Sequence, residues 1–218
     1  MVLEASRRAF LGAAAASIAT SGALATSASA RADDGPISHD ALLAIARKPA
    51  RHRQLFAATR PNGNAFVYMR NSLNGYERGW GEPPGSLHAI AVFNGMGVVQ
   101  GLDDDAWRRY RIADVLAAMG ARLDPGLAVD RNPWLRPTSG LEDRSIEALQ
   151  QRGCDFLVCD TALGTASLAF ARAGRGEDDA IHAALRHALI PGAALVPSGV
   201  SAINALQEER FTLYDANV

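Results

Sequence analysis

The sequence predicts a three-layer α/β domain around a mainly parallel sheet of about five strands. Three observations lead there. Apolar runs of strand length alternate with helix-period segments from residue 54 almost to the last residue. The best strand, LHAIAVF at 87–93, is apolar nearly throughout, as a strand covered on both faces must be. Short Gly-, Asn- or Ser-containing turns follow several of the strands, and such Rossmann-like or flavodoxin-like folds place ligands beyond the strand carboxyl ends.

In chain order, Ser38 is a candidate N-cap for a short helix carrying Ala41, Leu42, Ile45 and Ala46, stopped by Pro49. A first strand spans 54–59, and Pro61-Asn62-Gly63 turns out of it. Phe66, Met69, Leu73 and Tyr76 mark one face of a helix over 65–76. The strand at 87–93 leads into the turn Asn94-Gly95-Met96-Gly97. A single helix is expected over 103–119, opened by three aspartates that suit the helix dipole and closed by Gly120. Residues 124–140, rich in Pro, Gly and Asn and containing Trp134, read as an irregular excursion. A helix follows over 139–152, ending at Gly153, then a strand over 154–159. Helices over 161–173 and 177–189, a strand over 194–197, a helix over 201–209 and a strand over 211–214 complete the pattern.

The first thirty residues read as an address. Ser6-Arg7-Arg8-Ala9-Phe10-Leu11 resembles the twin-arginine export signal of bacteria. An uncharged, alanine-rich run over 12–24 follows, and Ala28-Ser29-Ala30 or Ala30-Arg31-Ala32 supplies a small-residue cleavage site. The apolar run is too short and too weakly apolar for a membrane span, which takes about 20 strongly apolar residues. The resemblance implies export through the twin-arginine translocase, a periplasmic location and a mature chain with no membrane span. The expected division is a signal and cleavage region over 1–32, a leader with a short helix over 33–50, and one α/β domain over 51–218.

Composition excludes several classes. Removing residues 1–30 takes away two arginines and one glutamate, which moves the formal net charge from −1 to about −2. That is no footprint for nucleic acid, and no Lys/Arg-rich run occurs. Two cysteines make no disulfide scaffold. Cys154 and Cys159 on one strand would lie about 16 Å apart on opposite faces, beyond the ~7 Å reach of a disulfide. The five histidines form no recognised metal motif, His182 and His187 share a helix face poorly, and His88 reads as structural. Gly95-Met96-Gly97 lacks the rest of a dinucleotide fingerprint, so no motif specifies a cofactor. Trp80, Trp107 and Trp134 read as packing residues.

Cys159 stands out by position. It closes a buried strand and precedes a helix whose N-terminus lowers a thiol pKa, while the neighbouring Asp160 opposes that effect. The other candidate ligand-binding residues lie in the turns after the strands: Asn94, Gly95, Gly97, Asp160, Thr161, Ser198 and Gly199.

The segments GCDFLVC at 153–159, IPGAALVPSGV at 190–200 and INALQEE at 203–209 together resemble the DsrE/DsrF-like sulfur-relay family. Residues 87–97 resemble that family's second strand and glycine turn. Against its pattern this chain carries insertions near 103–140 and 163–189. The resemblance implies a compact Rossmann-like domain assembled as a trimer or hexamer. It also implies a cysteine, here Cys159, that can carry a persulfide and receive sulfur from a donor or redox partner protein. The expected function is an exported DsrE-like ligand-binding or assembly protein. A thiol-based sulfur carrier acting through Cys159 and a cofactor-containing periplasmic enzyme are the two alternatives.

Overall fold

The computed structural model describes residues 35–121, 123 and 126–217. Arg7, Arg8 and the expected signal and cleavage region lie outside the described residues.

Five strands form one sheet: β1 (His52–Ala58), β2 (Leu87–Phe93), β3 (Asp155–Cys159), β4 (Ala194–Val196) and β5 (Thr212–Asp215). All neighbours run parallel, in the order β4-β3-β2-β1-β5. The period of two along each strand divides the core. Phe56, Ala91, Phe93, Phe156 and Val158 face the larger cluster, whereas Leu55, Ile90, Val92 and Leu157 face the smaller one. Every residue of β2 is buried, as expected for the central strand of a sheet covered on both sides.

Helices α1 (His39–Ala46) and α8 (Gly199–Glu208) cover the smaller cluster through Leu42, Ala46, Ala202 and Leu206. The other face carries α2 (Asn64–Asn74), α3 (Asp104–Tyr110), α4 (Ile112–Ala118), α5 (Ile146–Gln151), α6 (Asp160–Arg172) and α7 (Asp178–His187). This is the three-layer α/β architecture. The chain steps from β1 to β4 in one direction, then returns across the sheet to set β5 beside β1. A return in the opposite direction puts its helix on the opposite face if every crossover is right-handed. The helices after β3 and β4 therefore diverge to different faces, and the crevice of this topology lies between those two carboxyl ends.

The edge at β4 is guarded locally. The Ile37 amide donates to the Leu195 carbonyl at 2.8 Å, and Ser38 Oγ caps α1 by accepting from the Ala41 amide at 3.2 Å.

Two expected helices differ. The one predicted over 103–119 is broken at Arg111, which adopts the left-handed conformation (φ 49°, ψ 53°). Tyr110 and Ile112 are both buried in the same cluster. On a continuous helix they would point about 200° apart, so the break lets both reach one core. The helix predicted over 139–152 is regular only as α5. The amides of Ile146 and Glu147 donate to the carbonyls of Trp134 and Leu135. The excursion, not an upstream helical turn, satisfies the start of that helix. Conversely, α2 runs on into a π-helical turn, Gly75–Gly79.

Beyond β2 the chain winds as a 3-10 helix, Gly95–Gly101, rather than a simple turn. Gly97 lies against the end of β1, where a Cβ would sit 2.2 Å from the Ala58 carbonyl oxygen. Within this segment Gln100 is fully buried. Its Oε1 accepts from the Gly63 amide at 3.0 Å, and its Nε2 donates to the carbonyls of Arg60 and Gly97. Asn132, in the excursion, is also buried. Its Nδ2 donates to the carbonyls of Gln100 and Leu102 at 2.9 and 2.7 Å, and its Oδ1 accepts from the Trp134 amide at 3.0 Å.

Asn132→Ala removes three buried hydrogen bonds and strands their partners. The expected cost is about 2–3 kcal/mol, measured by urea unfolding, with loss of hydrogen-exchange protection concentrated at Trp134, Ile146 and Glu147.

Candidate functional site

The carboxyl ends of β2, β3 and β4 bring Asn94, Cys159, Thr161, Ser198 and Gly199 together. A Cβ built on Gly199 would stand 3.1–3.2 Å from Asn94 Cγ and Cβ and 3.2 Å from Cys159 Cβ. A side chain at 199 would require these neighbours to give by a few tenths of an ångström, so glycine suits the close approach of the three strand ends. Thr161 joins β3 to β4 by donating its Oγ1–H to the Pro197 carbonyl at 2.9 Å and its amide to the same oxygen at 3.4 Å. Ser198 caps α8, its Oγ accepting from the Ser201 amide at 3.5 Å.

Cys159 is the N-cap of α6. Its Sγ accepts from the Ala162 amide at 3.3 Å. A thiol so placed meets the positive end of a 13-residue helix. It is also shut in, at 2 % exposed. Cys154, just before β3, is 5 % exposed, and burial pushes its thiol up to about 12. Both cysteines are free thiols.

Asp160 turns away from the cysteine toward α7. Its two oxygens accept from Arg186 Nε and Nη2 at 2.7 and 2.6 Å, and the His182 ring is 3.0 Å from Oδ1. Burial alone would raise this carboxyl, but the Arg186 and His182 contacts outweigh it and hold the group below the ordinary carboxylate value. The negative charge beside Cys159 is therefore answered within its own ion cluster. Sequence reasoning missed this cluster by pairing His182 with His187. The informative spacing was His182 and Arg186, four apart on one helix face.

Gly95 and Gly97 stand apart from the cysteine, against the end of β1. The Gly95 amide donates to Asn94 Oδ1 at 2.7 Å and the Gly97 amide to the Thr59 carbonyl at 2.9 Å. Both donors are engaged by the protein itself. His88 is 4 % exposed and pairs through Nε2 with Asp155 at 2.8 Å, while its Nδ1 has no hydrogen-bond partner among the described residues. Lys48 Nζ donates to both Asp155 oxygens at 2.7 Å. Burial again pushes the Asp155 carboxyl up, and His88 and Lys48 together bring it below the ordinary value. Trp107 and Trp134 are buried as expected of packing residues, but Trp80 is 73 % exposed and lies edge-on to Tyr76. Among the described residues no group of three His, Cys, Asp or Glu side chains is placed to hold a metal ion.

A cavity of about 210 Å³ lies beside the β4 end, lined by Val196, Pro197 and Ser198 on the side of α1 and α8, and further open space lies beside the β1 end. A cavity of about 420 Å³ is lined by Asn62, Asn64, Phe66, Trp134, Ser139 and Arg144, among others. A second, of about 520 Å³, shares Gly126, Leu127 and Ser139 with it. Sequence reasoning placed the candidate ligand residues in the turns after β2, β3 and β4 and passed over the Asn62-Gly63 turn after β1.

The lowered Asp155 and Asp160 carboxyls fix the sign of an acid limb. Their contribution to stability is complete above the ordinary carboxylate range. It is lost as pH falls through the lowered folded values, because the unfolded chain binds protons first. Asp155→Asn is expected to flatten the slope of unfolding free energy against pH below about 4, followed by urea titrations at successive pH values.

No family model matches this chain, and neither a curated protein nor a solved structure matches it.

Proposed function

We propose that this chain is an exported, DsrE-like binding protein, delivered to the periplasm through Arg7-Arg8 and working as a homo-oligomer. One observation carries the choice of binding over sulfur transfer. Cys159 is sealed at the meeting point of three strand ends, 2 % exposed, whereas cavities open beside the β1 carboxyl end and under the excursion. A sulfur relay needs a thiolate that a donor can reach. A binding protein needs a concave, partly apolar space with a few placed polar groups. No helix among the described residues is long and apolar enough to cross a membrane.

A second reading rests on the Cys159 position as the N-cap of α6. In it the thiolate attacks the outer sulfur of thiosulfate, the sulfur–sulfur bond of the donor breaks, and sulfite leaves with its electron pair. The product on the protein is a persulfide.

Intact mass of periplasm-extracted protein, before and after reduction and after exposure to thiosulfate, separates the two. The expected result is an unmodified thiol throughout, with the Cys159→Ser variant unchanged in ligand binding. A reducible gain of one sulfur at Cys159, absent in Cys159→Ser, establishes the second reading. Arg7→Lys/Arg8→Lys is expected to leave the protein in the cytosol, read by fractionation.

A further inference from the structure

The two rims of the sheet are not alike. At β4 the leader is seated, with the Ile37 amide on the Leu195 carbonyl. Strand β5 ends the order on the other side and pairs only with β1. One bond and the register show which of its main-chain groups face outward. The Ala216 amide donates to the Ala57 carbonyl at 3.0 Å, and Ala57 lies opposite Asp215. In a parallel ladder a residue that bonds its neighbour straddles the one opposite it, and that opposite residue points its own N–H and C=O the other way. Tyr214 therefore bonds β1, and Leu213 and Asp215 turn their main-chain groups to the open edge.

The side chains do not blunt this edge. The strand reads Thr-Leu-Tyr-Asp and pairs with β1 residue for residue, so it carries no lysine, proline or bulge, the usual guards of an open rim. Tyr214 turns to one face, against Phe56 and Tyr68. Leu213 turns to the other face and is 43 % exposed. Charge sits only at the two ends, with opposite signs. Arg210, just before the strand, is exposed and forms no salt bridge among the described residues. Asp215, at the far end, is exposed, and its Oδ1 accepts from the Asn217 amide at 3.0 Å.

Such an edge is complementary to itself. Two copies of β5 laid antiparallel about a two-fold axis at Leu213 exchange both Leu213 N–H···O=C bonds as one closely spaced pair. In that register the two Leu213 side chains meet on one face, Thr212 faces the partner's Tyr214, and Arg210 comes beside the partner's Asp215. No like charges stand opposite one another.

We propose that β5 is the surface through which two copies of this chain join, making one continuous ten-stranded sheet. The inference rests on the homo-oligomer part of the proposed function and names the surface and its symmetry.

Sedimentation of the mature, periplasm-extracted protein over a range of concentrations, with residue-resolved amide exchange, tests it. The expected species has an even number of copies and dissociates on dilution. The Leu213 and Asp215 amides are expected to gain protection about tenfold or more as it forms, whereas Tyr214, already bonded to β1, changes little. Leu213→Lys sets two charges face to face at the axis without touching a β1 bond, and is expected to leave a folded monomer over the same range. Arg210→Glu is expected to weaken association about tenfold, and takes the place of Leu213→Lys if that variant fails to fold by circular dichroism. A monomer at every concentration overturns this interface and the homo-oligomer reading together. An oligomer that forms without protection at Leu213 and Asp215, survives in both variants or has an odd number of copies overturns the β5 interface alone. Protection of those amides that does not vary with concentration also overturns it, because the edge is then covered from within the same chain.

Discussion

Gln100 has no contact with solvent, and both ends of its amide are used. A buried amide must be fully paired or it costs several kcal/mol, so its geometry dictates where the partners go. Through Gly63, Arg60 and Gly97 it locks the turn after β1 to the winding after β2. Through its own carbonyl it holds Asn132, and Asn132 holds Trp134. The excursion is thus hung from the sheet by polar contacts, with Trp107 and Trp134 packed edge-to-face beneath it at 5.8 Å. This chain of amides fixes the excursion together with Asp104, which accepts from the Asn132 amide and pairs with Arg136.

The crevice expected from the sheet topology is closed at the cysteine. The divergence of α6 and α8 makes the β3–β4 junction the expected crevice. There Gly199, Asn94 and Cys159 close on one another, and Thr161 ties the two strands across the gap. The helix dipole at Cys159 is available for charge stabilisation, but access is not. At the β1 end the situation reverses: the excursion stands off the sheet and leaves room. The proposed binding function therefore rests on the space beside the excursion rather than on the turns after β2, β3 and β4.

Much of the architecture was legible in the sequence because local pattern and burial agree. LHAIAVF is apolar since β2 is covered on both faces, and Ser38 and Asp103 read as helix starts because their side chains meet free amides. The break at Arg111 was not legible, since the residues around it have helical spacing and only the need to bury Tyr110 and Ile112 together opposes it. The cavities beside the excursion were hidden for a different reason. Gln100 and Asn132 are polar residues in unremarkable segments, and their importance exists only after residues far apart in sequence have met. Asp160 was read as a charge beside a thiol, and its neutralisation depends on Arg186, 26 positions away.

The Ile37–Leu195 hydrogen bond gives the leader a second role. Strand β4 is three residues long and lies at the rim of the sheet. An unpaired rim is a template onto which other chains can add. By seating its amide on Leu195, Ile37 acts as a short false strand that ends the ladder. A chain trimmed past Ile37 would keep its core residues but present a bare edge, so self-association, not unfolding, would be the mark of a start site placed too far along.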